Sequence, residues 1–178
     1  MDAASYITSI LRADPHRWHL LGVVDALNLP DCWIGAGFVR NAVWDHLHQR
    51  FAAPIEGDVD VIWYDPHCTD AVGDRSLEAR LHALVPSITW SVKNQARTHV
   101  RNGDAPYTSA TDAMRYWPET ATAIAARRRK MDDCEIAAPL GPDDLLNLVL
   151  LRIPIEAGHG FRREAGRCSD AKPATWLG

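Results

Sequence analysis

Apolar residues recur at helical spacing through most of the chain and are interrupted by short runs of β-formers. Ser5 to about Leu11 and Pro15 to about Asn28 read as helices, the second opened by Asp14 as N-cap and Pro15 at the first helical position. Cys32-Trp33-Ile34-Gly35 is a short strand running into the turn Gly35-Ala36-Gly37. From Phe38 to Gln49, Val39, Val43 and Leu47 make an apolar stripe, and Arg40, Trp44 and His48 make a second stripe suited to facing a ligand. A loop with Pro54 and Gly57 leads into Asp58-Val59-Asp60-Val61-Ile62-Trp63-Tyr64, a strand by composition. Ser76 caps a helix to about Val85 that buries Leu77, Leu81, Leu84 and Val85, and a strand covers Ile88 to Asn94.

A short helix over Arg97 to Arg101 ends at Asn102-Gly103-Asp104. Helical segments are expected over Ser109 to Met114 and Glu119 to Lys130, and a last strand over Cys134 to Ala138. A helix starts at Gly141-Pro142-Asp143-Asp144 and runs to Leu151, with its acids at the positive end of the dipole. Helices alternating with strands define an α+β domain, residues 1–152, built on one small mixed sheet flanked by helices. From Pro154 hydrophobic density falls and Gly158, Gly160 and Gly166 appear, so residues 153–178 are expected to form a loosely ordered tail anchored at most by Trp176.

Composition narrows the function classes. With 178 residues, 47% hydrophobic and 24% charged, the chain suits one globular domain with a real core. A net charge of −4 gives no general footprint for nucleic acid or an anionic membrane, so phosphate binding must rest on local positive charge. No basic start with an apolar run opens the chain, and no stretch reaches the ~20 apolar residues of a membrane helix; a cytoplasmic location is the expectation. Cys32, Cys68, Cys134 and Cys168 form no CxxC and are expected as free thiols, Cys32 and Cys134 in strands of the core. His46 and His48 lie on different sides of their helix, and His16 and His19 have no acid or cysteine at ligand spacing, so a histidine metal site is not expected.

The strongest chemical signal is Asp58-x-Asp60. Strand alternation puts both carboxylates on one face with Cα atoms roughly 6.5 Å apart. Like charges that close are unfavourable away from water unless a cation joins them. Hard oxygens at this spacing suit Mg²⁺, which takes one or two carboxylates plus substrate phosphates. The plain alternative is a strand end where both face water. Some twenty residues upstream, Gly35 and Gly37 stand at a strand-to-helix junction, where backbone N–H groups and the helix dipole favour phosphate, and Arg40 follows in the first turn. A turn that needs glycine only for its geometry is the alternative there.

Two arrangements share a Gly-x-Gly turn before an acidic strand. A dinucleotide-binding unit needs a third glycine where this chain has Arg40, takes Asp65 for the ribose, and leaves Asp58 and Asp60 unused. The DNA polymerase β-type nucleotidyltransferase fold uses a Gly-rich turn, a helix and Asp-x-Asp in that order. Four blocks carry a wider resemblance: Trp33-Ile34-Gly35-Ala36-Gly37-Phe38-Val39-Arg40-Asn41, Asp58-Val59-Asp60-Val61-Ile62, Trp90-Ser91-Val92-Lys93-Asn94-Gln95-Ala96-Arg97 and Trp117-Pro118-Glu119-Thr120-Ala121-Thr122. From about Asp31 to Arg152 the chain resembles an uncharacterised bacterial family of nucleotidyltransferase-like proteins within that superfamily.

The resemblance implies the fold and transfer of a nucleotidyl group from a nucleoside triphosphate, using Mg²⁺ or Mn²⁺, to an acceptor it does not name. Asp58 and Asp60 would be the catalytic and metal-binding pair, and Gly35, Gly37, Arg40, Lys93 and Asn94 would bind the nucleotide. Active members of the superfamily also place a third carboxylate on the next strand. Ile88 to Asn94 has none, and Lys93, Asn94 and Gln95 end that strand instead. Asp104, Asp112 or Glu119 are the candidates to supply one from elsewhere. Without it a two-metal mechanism is in doubt, and a catalytically inactive nucleotide-binding or regulatory module becomes the alternative. A partner in a toxin–antitoxin pair is a third reading. Arg127-Arg128-Arg129-Lys130 reads as a solvated helix end, and Tyr107 as a core residue with a satisfied hydroxyl in preference to a base-stacking platform.

Overall fold

The computed structural model describes residues 1–51, 53–130 and 133–152. Two helices open the chain, α1 (Ala3–Ala13) and α2 (Pro15–Asp25). The Asp14 carboxylate caps α2 by accepting from the His16 and Arg17 N–H groups, with Pro15 in its first turn. Then come β1 (Trp33–Gly35), α3 (Gly37–Leu47), β2 (Asp58–Trp63), α4 (Ala71–Leu84) and β3 (Thr89–Asn94). The short helices α5 (Thr98–Asn102) and α6 (Ala110–Ala113) follow, then β4 (Ala125–Lys130), β5 (Asp133–Ala137) and α7 (Asp143–Leu146). The fold is α+β, as the pattern predicts.

The strands form one sheet in the order β3-β2-β1-β4-β5. Only β2 and β3 run parallel, with α4 as their crossover; the other neighbours are antiparallel. Alternation gives the sheet two unlike faces. Ile34, Val59, Val61, Trp63, Trp90, Val92 and Ala126 point into the main core, where they meet Ile7, Leu20, Leu21, Val39, Val43 and Leu81 from the helices. The opposite face carries Gly35, Asp58, Asp60, Ser91 and Lys93, and is closed along one side by a smaller cluster of Trp33, Ile62, Ala110, Met114 and Ala125.

Several expectations are corrected, beginning with α4, which Asp70 caps in place of Ser76 and whose Leu84 is exposed. Glu119 to Lys130 is not a helix: a 3₁₀ turn covers Thr120–Thr122, and Ala125–Lys130 is strand β4. Alanine and arginine are good helix formers, but Ala125 and Ala126 pair with Gly35 and Ile34 and are fully buried there, so tertiary pairing overrides propensity. The arginine run is therefore split across the sheet. Arg127 and Arg129 pair with Glu135, whereas Arg128 reaches the Trp18 carbonyl on the helical side. The last helix spans only Asp143–Leu146, because Asn147 turns its side chain back onto the Asp143 carbonyl and Leu148 takes φ +59°. Finally, Cys32 precedes β1 instead of lying in it, and burial pushes its thiol up to about 12, with the Asp31 carboxylate adding to the effect. Cys32, Cys68 and Cys134 are free thiols. Cys168 and Trp176, with the rest of residues 153–178, lie outside the described residues.

Candidate functional site

The antiparallel pairing of β1 with β2 sets Gly35 directly opposite Asp60, so the Gly-Ala-Gly turn and the Asp-x-Asp strand meet at one point of the sheet. On the other side of β2, Asp58 is opposite Thr89, Asp60 opposite Ser91, and Ile62 opposite Lys93. Asp58, Asp60, Ser91 and Lys93 thus share the face that the main core leaves uncovered. The Asp60 carboxyl is raised above the usual carboxylate range, chiefly by burial and then by the Asp58 charge. Lys93 and a hydrogen bond with the Ser91 hydroxyl act the other way without cancelling it. A half-buried carboxylate held next to a second one is a site short of positive charge.

The turn itself is strained at an unexpected residue. Ala36, not a glycine, takes φ +53° with ψ −126°, a conformation that L-residues rarely adopt. It is held by its N–H bond to the Ile124 carbonyl, 3.0 Å. Gly35 serves close approach instead: a Cβ there would stand 2.9 Å from the Trp117 ring and 3.4 Å from the Ile124 carbonyl. No side chain caps α3, so its first-turn N–H groups open toward the turn. The Arg40 guanidinium folds back over this end, 3.9 Å from the point a Gly37 Cβ would occupy. It bonds to Asn41 Oδ1 at 3.1 Å, lies 5.3 Å from the Trp44 ring centre, and has Glu119 Oε2 3.8 Å away.

Asn94 is not brought to this place. It sits on the core face, fully buried, and its amide is consumed by structure: Nδ2 donates to the Asp65 and Cys68 carbonyls, and Oδ1 accepts from the Asp65 and Ala96 N–H groups. The carboxylates expected as possible third ligands are also engaged. Asp104 accepts from the buried Tyr107 hydroxyl, Asp112 holds Thr108 N–H and Oγ1, and Glu119 faces Arg40. Tyr107 is accordingly a core residue whose Tyr64-bonded backbone and satisfied hydroxyl leave no stacking platform. Among the described residues no group of three His, Cys, Asp or Glu side chains converges on a metal position. The donor set is therefore two carboxylates, Asp58 and Asp60, which fits a cation that completes its shell with phosphate oxygens and water.

Two contributors were not assigned from sequence. Ser91 was recoverable from alternation, two positions before Lys93 on the same face. Trp117 was not, because its contact with Gly35 joins segments far apart in the chain.

The model of a nucleotidyltransferase family matches residues 22–165. No curated protein matches the chain. A solution structure described as revealing a CCA-adding enzyme head domain is 35% identical, covering 79% of this chain and 74% of that one, with a TM-score of 0.69. Family match, shared fold and the ordered Gly turn and Asp-x-Asp strand agree: the chain belongs to this nucleotidyltransferase family.

Proposed function

We propose that the protein transfers a nucleotidyl group from a nucleoside triphosphate to an acceptor hydroxyl, with Mg²⁺ or Mn²⁺ held by Asp58 and Asp60. The observation that supports this most is the juxtaposition of Gly35 with Asp60 across β1 and β2, which puts a phosphate-compatible turn beside a charge-deficient carboxylate pair. Bound there, the cation would neutralise phosphate charge and orient the α-phosphate. The α3 N-terminus and Arg40 would hold the triphosphate, and Lys93 would place a fixed positive charge on the β3 side. Ser91 would hold the Asp60 carboxylate in position. An acceptor hydroxyl would then displace pyrophosphate in line, the barrier being lowered by positioning and charge neutralisation.

The similar solved structure is described as a CCA-adding head domain, so CTP and ATP are the first nucleotides to test. A nucleic-acid acceptor has no support in the net charge of −4, nor in arginines divided between two sheet faces. One observation favours a second reading, nucleotide binding without turnover: Ser91 and Lys93 stand on the strand where a third carboxylate would complete the site. Incubation with Mg²⁺ or Mn²⁺, labelled CTP or ATP, and cell extract as acceptor source should release pyrophosphate and label a product, and Asp60→Ala should stop it. Tight binding without labelling, under conditions where a known nucleotidyltransferase works, would establish the binding module instead.

A further inference from the structure

Lys93 is a cation without a carboxylate of its own. Arg17, Arg40, Arg97 and Arg127 each form an ion pair. Lys93 is half-buried, yet it pairs with no acid among the described residues. Its charge still reaches Asp60, whose carboxyl it pulls down against burial and the Asp58 charge. Register explains why. Asp60 is opposite Ser91 and Ile62 is opposite Lys93, so Lys93 is the diagonal neighbour of Asp60 on the same face. Diagonal neighbours have Cα atoms about 7–8 Å apart, within reach of a long side chain. Asp58 lies on the other side of Asp60 along β2. Asp60 therefore has a carboxylate on one flank and an ammonium on the other.

Resting on the nucleotidyl-transfer reading, we propose that Lys93 takes the part a second divalent cation would play, so that each bound nucleotide is held with a single divalent cation at Asp58 and Asp60. The two ions of a two-metal site stand about 3.5–4 Å apart and need acids to join them. The position directly opposite Asp60 is Ser91, a neutral hydroxyl already bonded to the Asp60 carboxylate. Asp104, Asp112 and Glu119 are engaged elsewhere, and among the described residues no three His, Cys, Asp or Glu side chains converge. The remaining flank belongs to Lys93. An ammonium repels a doubly charged ion and has no lone pair to give it. It does carry donors and a fixed point charge for phosphate oxygens. While charged it accepts no proton, so its part is positioning and neutralisation.

The test counts ions. Equilibrium dialysis of the full chain against saturating Mn²⁺ and ATP gives the Mn²⁺ and ATP retained by the protein, and repeating it at low Mn²⁺ gives ATP affinity. Wild type should retain one Mn²⁺ with each ATP. Lys93→Gln should bind ATP roughly tenfold more weakly at low Mn²⁺, recover as Mn²⁺ rises, and retain more than one ion per ATP. Lys93→Arg keeps the charge and should retain one. Ser91→Asp combined with Lys93→Gln supplies the missing acid, removes the cation, and should retain two. Two Mn²⁺ per ATP in wild type would overturn the proposal, whether or not the variants fold. A merely structural Lys93 would lower affinity alike at every Mn²⁺ concentration and leave the count at one in Lys93→Gln, which would overturn it too. If wild type binds ATP through Asp58 and Asp60 but with two ions, only this proposal fails. If wild type retains neither ligand, or retains both equally after Asp58→Asn/Asp60→Asn, the underlying reading fails with it.

Discussion

Asp74 and Asp60 are two aspartates drawn toward the same pair of strands and treated in opposite ways. Asp74, on α4, is 3% exposed and fully answered: Trp63 Nε1 donates at 2.9 Å, the Asn94 N–H donates to both oxygens, and Arg97 closes an ion pair. Asp60 sits on the opposite face of β2 beside a second carboxylate, and its hydrogen bond with Ser91 and the field of Lys93 do not offset burial. The first arrangement joins a helix to the ends of β2 and β3. The second would be a defect in a purely structural protein, and under the proposed function it is where a cation would add the missing positive charge.

Breaking the satisfied carboxylate should have the largest effect on stability. Asp74→Ala leaves Arg97, Trp63 Nε1 and the Asn94 N–H without their acceptor. It should cost about 3 kcal/mol, at the low end for a broken buried pair because Arg97 keeps some contact with water. Urea denaturation measures it, and a loss under ~1 kcal/mol would remove the contrast.

Next comes the turn beside Asp60. Gly35→Ala forces a Cβ against the Trp117 ring and the Ile124 carbonyl and should cost about 1–3 kcal/mol by overpacking. Combining it with Trp117→Leu should recover part of that cost in thermal denaturation. A strictly additive double variant would show that the two residues do not meet as described.

The smallest effect has the opposite sign. Asp60→Asn should stabilise the protein at neutral pH by roughly 0.5–1 kcal/mol, because it removes the cost of burying the charge and, after that, the like-charge repulsion from Asp58. Its pH dependence follows from the raised carboxyl. The folded state holds the Asp60 proton more tightly than the unfolded chain, so the contribution of this group is full below the ordinary value of 3.8 and is lost as pH rises through the folded value. The advantage of the asparagine should therefore shrink on acidification through that window. Asp58, Ser91 and Lys93 are the groups that face Asp60 here, and a constant difference from pH 3 to pH 7 would mean that they leave it unperturbed.

The open site was legible in the sequence where local rules decide it. Alternation in Asp58-Val59-Asp60 fixes which side chains share a face, and Gly35-Ala36-Gly37 marks the strand-to-helix turn. Longer-range pairings were not legible. Glu119 to Lys130 has helix-forming alanines and arginines, and only its partner strand, some ninety residues earlier, makes it β4. Grouping Asn94 with Lys93 overlooked the same alternation that located the aspartates: neighbours on a strand face opposite ways, and Asn94 belongs to the Asp74 cluster. Glu119 was visible as an acid in the Trp-Pro block, but its partner Arg40 is fixed only when the 3₁₀ turn and residues 151–152 fold over α3.

The central claim is that Asp58 and Asp60 form a cation-dependent nucleotide site, and titration of Mg²⁺–ATP and Mg²⁺–CTP into wild type and Asp58→Asn/Asp60→Asn tests it most directly. The account predicts metal-dependent binding to wild type and its complete loss in a double variant that stays folded and is no less stable. Equal nucleotide affinity in the two proteins would contradict it.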